Sequence, residues 1–226
     1  MSALDLLFPP RCVACGELLG TSELLCELCR ATLIPAAEPA CGICAEPTGE
    51  GLATCARCLA EPPPFFRVHV AFAFTGAMTE AIPRFKYQDR PFLAAPLALL
   101  AYPALAEGLS ACDCVAPIPL HDARLRERGF DQALLLAEQL ALRAGLPLEP
   151  ALLQRVRKTS HQVGQSRGAR AENLAGAFEA RGPLAGKRVA LVDDVVTTTA
   201  TAREAARALR GKGAAEVRIV ALARAG

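Results

Sequence analysis

Eight cysteines in the first 60 residues are arranged as four C-x-x-C pairs: Cys12/Cys15, Cys26/Cys29, Cys41/Cys44 and Cys55/Cys58. Ten residues separate the pairs within each half, and the second half repeats the first at an offset of 29. A C-x-x-C turn brings two thiolates to one metal. The intervening residues are enough for a hairpin that returns a second pair, so each half has the spacing of a tetrahedral four-cysteine zinc ribbon. Gly16 and Gly42, each just after a cysteine, suit tight turns. A disulfide framework needs an oxidising compartment, and the first ten residues lack the basic start and long apolar core of a secretory signal. One or two structural zinc ions are therefore expected, with sequential pairing of the cysteines; the spacing alone leaves an interleaved pairing open.

The metal has a physical reason. A segment of this size with few large apolar side chains buries too little surface to fold well alone, and ligation supplies folding free energy directly. Four cysteines saturate each ion and leave no open coordination position, so the metal is structural. Residues 1–60 carry three arginines against seven acidic residues, a formal −4. That balance disfavours nucleic acid and favours a protein or intramolecular surface. Cys112 and Cys114 stand apart, spaced C-x-C in an apolar run, and read as buried small hydrophobes on a strand.

Residues 188–201 carry the second strong pattern. A β-branched apolar run, 189–192, ends in adjacent carboxylates Asp193 and Asp194. After Val195 come Thr197, Thr198, Thr199, Ala200 and Thr201, then an alanine-rich helical stretch closing at Lys212-Gly213. Backbone N–H groups of such a loop and the positive end of the helix suit a phosphate, and the hydroxyls add donors without charge. The carboxylates fall where they can accept from ribose hydroxyls or hold Mg²⁺ through water. A P-loop NTPase would need a G-x-x-x-x-G-K-S/T loop, which this chain lacks. A receiver domain would need more chain after its acidic pair.

Two basic segments accompany this motif. Residues 115–120 end a strand in a loop stiffened by Pro117 and Pro119, followed by Arg124, Arg126 and Arg128 and a helix start at 129–132. Guanidinium forks match phosphate oxygens, so this segment can grip a pyrophosphate; a solvated arginine face is the plain alternative. Residues 155–170, including Lys158 and His161, hold five Lys/Arg, one His and no acid. They read as a basic loop able to close over an anionic ligand.

The run at 188–201 resembles the phosphoribosyl pyrophosphate signature of type I phosphoribosyltransferases. With the cysteine pairs, the whole chain is similar to the ComF family of competence-associated proteins. The resemblance implies Asp193 and Asp194 on the ribose hydroxyls and residues 195 and 197–201 around the 5′-phosphate. Mg²⁺-bound pyrophosphate would lie against the 117–119 loop, Arg124 and Arg128, with Lys86 facing the phosphates. Catalysis through an oxocarbenium-like transition state would draw on Lys158, Arg128, Asp193 and Asp194, with an unidentified nitrogen acceptor. The family also implies a link to DNA uptake, which offers an alternative: a phosphoribosyl-binding adaptor, catalytically inactive and associated with single-stranded DNA or uptake proteins. Two positions depart from the family pattern, Thr199 for Gly and Asp131 for Asn. A β-branched residue resists φ > 0, so Thr199 is expected to reshape the phosphate loop and to favour binding over turnover.

Between these motifs, strands alternate with helices: a strand at 68–74, helices at 77–87, 92–107 and 130–144, and a strand at 217–222. The reading is an α/β fold with a type I phosphoribosyltransferase-like parallel sheet flanked by helices. It occupies 65–226, beyond the proline-rich linker 61–64 and a small zinc-ribbon domain at 1–60. Pro83 is expected to kink or split its helix. No stretch is expected to reach the roughly 18 unbroken apolar residues of a membrane span, which points to a cytoplasmic protein without membrane insertion. Arginine outnumbers lysine 21 to 4 while net charge is only +2, so the chain carries no footprint of a dedicated DNA binder.

Overall fold

The computed structural model describes residues 9–20, 23–88, 90–157 and 174–226. In chain order the ribbons contribute two short helices, α1 (Glu27–Ala31) and α2 (Ala56–Ala60). Then come β1 (Arg67–Ala73), α3 (Ala77–Tyr87), a 3₁₀ turn (Pro91–Leu93) running into α4 (Ala94–Ser110), and β2 (Cys114–Pro117). They are followed by α5 (Asp122–Arg128), α6 (Gln132–Ala144), β3 (Leu153–Arg155) and β4 (Phe178–Ala180). The last three elements are β5 (Arg188–Val196), α7 (Ala200–Gly211) and β6 (Glu216–Arg224). The main sheet is parallel throughout, in the order β1-β6-β5-β2. β3 and β4 form a separate antiparallel pair.

A parallel sheet covered on both faces explains why its strands are apolar without interruption. In β5 the residues alternate between two cores. Ala190 and Val192 face the cluster built by α3, α4 and α6, whereas Val189 and Leu191 face the one containing α7, β3 and β4. The odd face thus receives Ala202, Ala205, Ala206 and Leu209 of α7, and the even face Leu97, Ala101, Leu136 and Leu140.

The β1 edge is closed by the ribbons. Val68 N–H donates to Ile43 O at 2.8 Å, Ala36 N–H to Ala71 O at 3.0 Å, and Ala73 N–H to Ile34 O at 3.0 Å. Open strand edges invite pairing with other chains, and here the segments at 34–36 and 43 occupy those groups.

Two expectations are corrected and one element is added. Pro83 lies inside an unbroken α3: Met78, Ala81, Ile82 and Phe85 are buried around it, and their packing outweighs the single hydrogen bond a proline removes. A short helix, α5, carries the three arginines that follow the proline loop, a segment with no element assigned from sequence. Residues 91–110 do form a helix long and apolar enough, by composition, to cross a membrane, with mean hydropathy 1.6. Its apolarity serves the core instead: Leu97, Ala98, Ala101, Leu105 and Leu109 are all buried in the cluster under the sheet. Cys112 and Cys114 are buried as expected, and Cys112 Sγ lies 3.4 Å from Gly108 O.

Candidate functional site

The carboxyl end of β5 delivers Asp193 and Asp194 to the edge of the sheet, beside the last turn of α3. There Lys86 Nζ lies 2.8 Å from Asp194 Oδ2, with the two side chains only 19% and 10% exposed. Asp194 N–H donates to Asp193 Oδ1 at 2.8 Å. Burial, and then the neighbouring charge of Asp194, push the Asp193 carboxyl up to about 8, with Lys86 opposing. At neutral pH Asp193 therefore keeps its proton beside the Lys86–Asp194 ion pair. That combination can both accept and donate to sugar hydroxyls.

Beyond Val195 and Val196 the chain turns through Thr197 and Thr198 into α7, whose N-cap is Thr199. Its backbone is left-handed, φ 62° and ψ 3°. Thr199 adopts a conformation that favours glycine, at a cost of about 1–2 kcal/mol for a residue with a Cβ. Two contacts hold it there. Its carbonyl accepts from Arg203 N–H at 2.8 Å, starting the helix, and its side chain is buried, only 3% exposed. The hydroxyl Oγ1 is buried and without a partner. An orphaned hydroxyl at a helix start, beside amides that have no intrahelical acceptor, fits an anionic ligand with oxygen atoms.

Beside β5 lies the proline loop. Pro117 closes β2 opposite Val192, and Ile118 N–H donates to Val192 O at 2.8 Å. Asp131 then ties the loop to α6: one oxygen accepts from Leu120 N–H and the other from Leu134 N–H, both at 3.1 Å. Two facing donors suit a carboxylate, which accepts on both oxygens, better than an amide. That gives Asp131 a physical account. Burial raises its carboxyl above the ordinary range, the N–H donors opposing.

Arg128 donates to Gln132 Oε1 at 2.7 Å and to Tyr87 Oη at 3.2 Å, and its guanidinium stacks 4.9 Å from the Tyr87 ring. It thereby joins the first turn of α6 to the residue after Lys86. Arg155, assigned from sequence to a basic loop, instead ends β3 and stacks 5.4 Å from the Phe178 ring. Burial lowers its pKa, with Arg124 adding to that and Asp193 opposing, so both lie within electrostatic reach of Arg155. Lys158, His161 and the rest of that basic segment to residue 170 lie outside the described residues.

In the ribbons the ligand atoms of Cys12, Cys15, Cys26 and Cys29 all lie within 4.8 Å of one another, as do those of Cys41, Cys44, Cys55 and Cys58. The pairing is sequential. Cys15 Sγ to Cys26 Sγ is 3.8 Å and Cys44 Sγ to Cys55 Sγ is 3.6 Å. Four thiolates at about 2.3 Å from a tetrahedral ion stand about 3.8 Å apart, so both clusters fit zinc. They supply a closed donor set that organises the chain around it.

Sequence reasoning missed the arginines that join these ribbons to the α/β layer. Arg84 of α3 donates to Ala14 O at 2.7 Å in the first ribbon. Arg224 of β6 donates to Cys44 O at 2.7 Å, and Arg203 of α7 to Glu61 O at 2.8 Å, in and beside the second. Arg57 reaches from the second ribbon to Thr198 O at 3.4 Å. No local signal marks such contacts, because the partners are far apart in the chain.

Comparison with known proteins finds two matching families. The double zinc ribbon domain family matches residues 3–59, and the phosphoribosyl transferase domain family matches residues 131–226. Competence protein F of Haemophilus influenzae is 32% identical over 224 residues, spanning 95% of this chain and 97% of its own length. DNA utilization protein YhgH of Salmonella typhi is 33% identical over 225 residues, spanning 97% and 99%. The protein of that name from Escherichia coli K12 is 30% identical over 218 residues, spanning 94% and 89%. Among solved structures, the glutamine phosphoribosylpyrophosphate amidotransferase of B. subtilis aligns with 61% of this chain and 30% of its own, at 24% identity and a TM-score of 0.40.

Proposed function

The chain belongs to the ComF family, that of competence protein F and DNA utilization protein YhgH, and from that premise we propose that its α/β layer binds Mg²⁺–phosphoribosyl pyrophosphate. The observation that carries this reading is the buried, unpartnered Thr199 hydroxyl at the start of α7, set beside the Lys86–Asp194 pair. The 5′-phosphate enters the loop 197–201, and Asp193 and Asp194 take the ribose hydroxyls. The pyrophosphate lies toward the 117–119 loop, Arg124 and Lys86. Oxygen-only donors at the acidic pair suit a hard cation; Mg²⁺, when bound with the ligand, supplies neutralisation of the pyrophosphate charge.

The left-handed Thr199 removes the reason to expect a collapsed loop, so transfer to a nitrogen acceptor stands ahead of a purely adaptor role. In that reaction this chain's residues orient the ribose, keep the leaving pyrophosphate in position and, through Lys158 and Arg128, offset charge as the C1–O bond breaks. The relatives' names support a role in competence and DNA utilisation; single-stranded DNA or uptake proteins are the partners that such a role would engage.

Replacing Thr199 by Val tests the loop. Valine keeps the shape and removes the orphaned hydroxyl, so the apoprotein's melting temperature should be unchanged or higher. Affinity for Mg²⁺–phosphoribosyl pyrophosphate should fall about tenfold, the worth of one lost hydrogen bond to a charged group. A variant that binds as well as wild type would put the phosphate elsewhere.

The acidic pair adds a pH signature. Asp193 must lose its proton to help hold Mg²⁺, and its carboxyl stands at about 8. Binding should therefore strengthen by up to about tenfold per pH unit as pH rises toward that value, and release a proton. Calorimetry in buffers of different ionisation enthalpy reads that proton directly, and Asp193→Asn should eliminate it.

A further inference from the structure

We propose that Arg57 is a positioning residue that couples the second four-cysteine centre to the phosphate loop. The proposal rests on the reading of residues 197–201 as that loop. Arg57 lies in α2 between two metal ligands, Cys55 and Cys58. One end of its guanidinium, Nη2, is 2.5 Å from Glu46 Oε2 and 3.7 Å from Cys44 Sγ. The other end, Nη1, donates to the backbone carbonyl of Thr198 at 3.4 Å. The group is planar and rigid, so fixing one arm against a ligand cysteine and its neighbouring carboxylate fixes the direction of the other.

The consequence passes through one peptide plane. In a trans peptide the C=O and the following N–H point in opposite directions. Holding Thr198 O toward the ribbon therefore turns Thr199 N–H away from it, and Thr199 is the left-handed residue whose hydroxyl is buried and unpartnered. Two further arginines hold the same ribbon still. Arg224 donates to Cys44 O and lies 3.7 Å from Glu46 Oε2, while Arg203, in the first turn of α7, donates to Glu61 O. Glu46 is thus shared by Arg57 of the ribbon and Arg224 of the sheet, the two sides of the junction.

The internal repeat shows that Arg57 is not demanded by the metal site itself. At the 29-residue offset its counterpart in the first ribbon is Leu28, which sits in the equivalent helix α1 and is 81% exposed. The first four-cysteine ribbon forms the same helix without an arginine there. What distinguishes the second ribbon is its position against Thr198. The first ribbon is held by a different element, through Arg84 of α3, two residues before Lys86. Each metal centre thereby braces one half of the candidate site: the first supports the lysine, and the second supports the loop.

The test compares zinc-loaded wild type, Arg57→Lys and Arg57→Ala. Lysine keeps a cation against Glu46 and Cys44 but has no second arm for Thr198. Hydrogen exchange of the Arg203 amide, which donates to Thr199 O of the loop, should rise about tenfold or more in Arg57→Lys, while exchange in β6 and α4, the zinc content and the melting temperature stay near wild type. Affinity for Mg²⁺–phosphoribosyl pyrophosphate should fall about tenfold in parallel. By reciprocity, that ligand should slow zinc release from the second cluster in wild type and not in Arg57→Lys. Unchanged exchange of the Arg203 amide in both variants overturns the proposal. Loss of the second zinc from Arg57→Lys also overturns it, since Arg57 would then support the metal alone. If wild type ignores the ligand while Arg57→Lys still loosens the loop, the ligand assignment fails and the coupling stands.

Discussion

Asp194→Asn should abolish Mg²⁺–phosphoribosyl pyrophosphate binding and lower the melting temperature by roughly 5–10 °C, the equivalent of about 2–3 kcal/mol in a chain of this size. The effect is large because Lys86 and Asp194 are nearly shut off from water and 2.8 Å apart. Removing one partner leaves the other charge buried. It stays toward the lower end of the range for broken buried pairs because Asp193 is adjacent and can take over Lys86, giving up its proton to do so. Asp193→Asn should behave in the opposite way. A carboxyl held at about 8 when folded and near 4 when unfolded keeps its proton only in the folded state. Below about pH 4 both states are protonated and nothing is lost; between about pH 4 and 8 the unfolded state ionises first and stability falls as pH rises. Asp193→Asn should flatten that fall, leaving the melting temperature unchanged at the acid end of this window and raising it at the alkaline end. Thermal melts of both variants across the window check the pair.

Stripping the metal should produce the other large effect. Native mass spectrometry should find two zinc ions per chain, and Cys44→Ser should retain one. Chelation should lower the unfolding temperature of the whole chain by more than about 10 °C, because ligation is worth several kcal/mol or more to a four-cysteine ribbon and the ribbons are not peripheral. Cys41, Cys44 and Cys58 share a buried cluster with Val68 of β1, and Cys12 shares another with Phe85 of α3. The ribbon backbone also occupies the outer edge of β1 through Ile34, Ala36 and Ile43. The chelated protein should therefore aggregate through that exposed edge. A zinc-free protein that melts at the same temperature and stays monomeric would show that the ribbons are appended rather than integral.

The elements legible in the sequence were those with a local signature. The cysteine spacing specified both clusters and favoured sequential pairing, because two C-x-x-C turns a hairpin apart readily meet at one ion; the sulfur positions then exclude interleaving. The apolar run before Asp193 specified β5, and with it the position of the carboxylates and of α7. Helix α5 was missed because it is seven residues long and flanked by turn residues, too short for a periodic pattern. Pro83 misled as a helix breaker, since it sits in a helix held by burial on its other faces. The conformation of Thr199 ran against its propensity, as tertiary contacts can impose. The arginine contacts between ribbon and sheet join residues such as Arg57 and Thr198, or Cys44 and Arg224, that are 141 and 180 positions apart. Pattern along the chain carries no information about such pairs.

The site at the end of β5 is tested most directly by calorimetric titration of the zinc-loaded protein with Mg²⁺–phosphoribosyl pyrophosphate, alongside the Asp193→Ala/Asp194→Ala double variant. Binding in the micromolar range by wild type, absent from the folded, zinc-loaded double variant, is the predicted result. Wild-type protein that takes up no ligand at millimolar concentration, or a double variant that binds as wild type does, would contradict the assignment of the acidic pair and the threonine loop to a phosphoribosyl ligand.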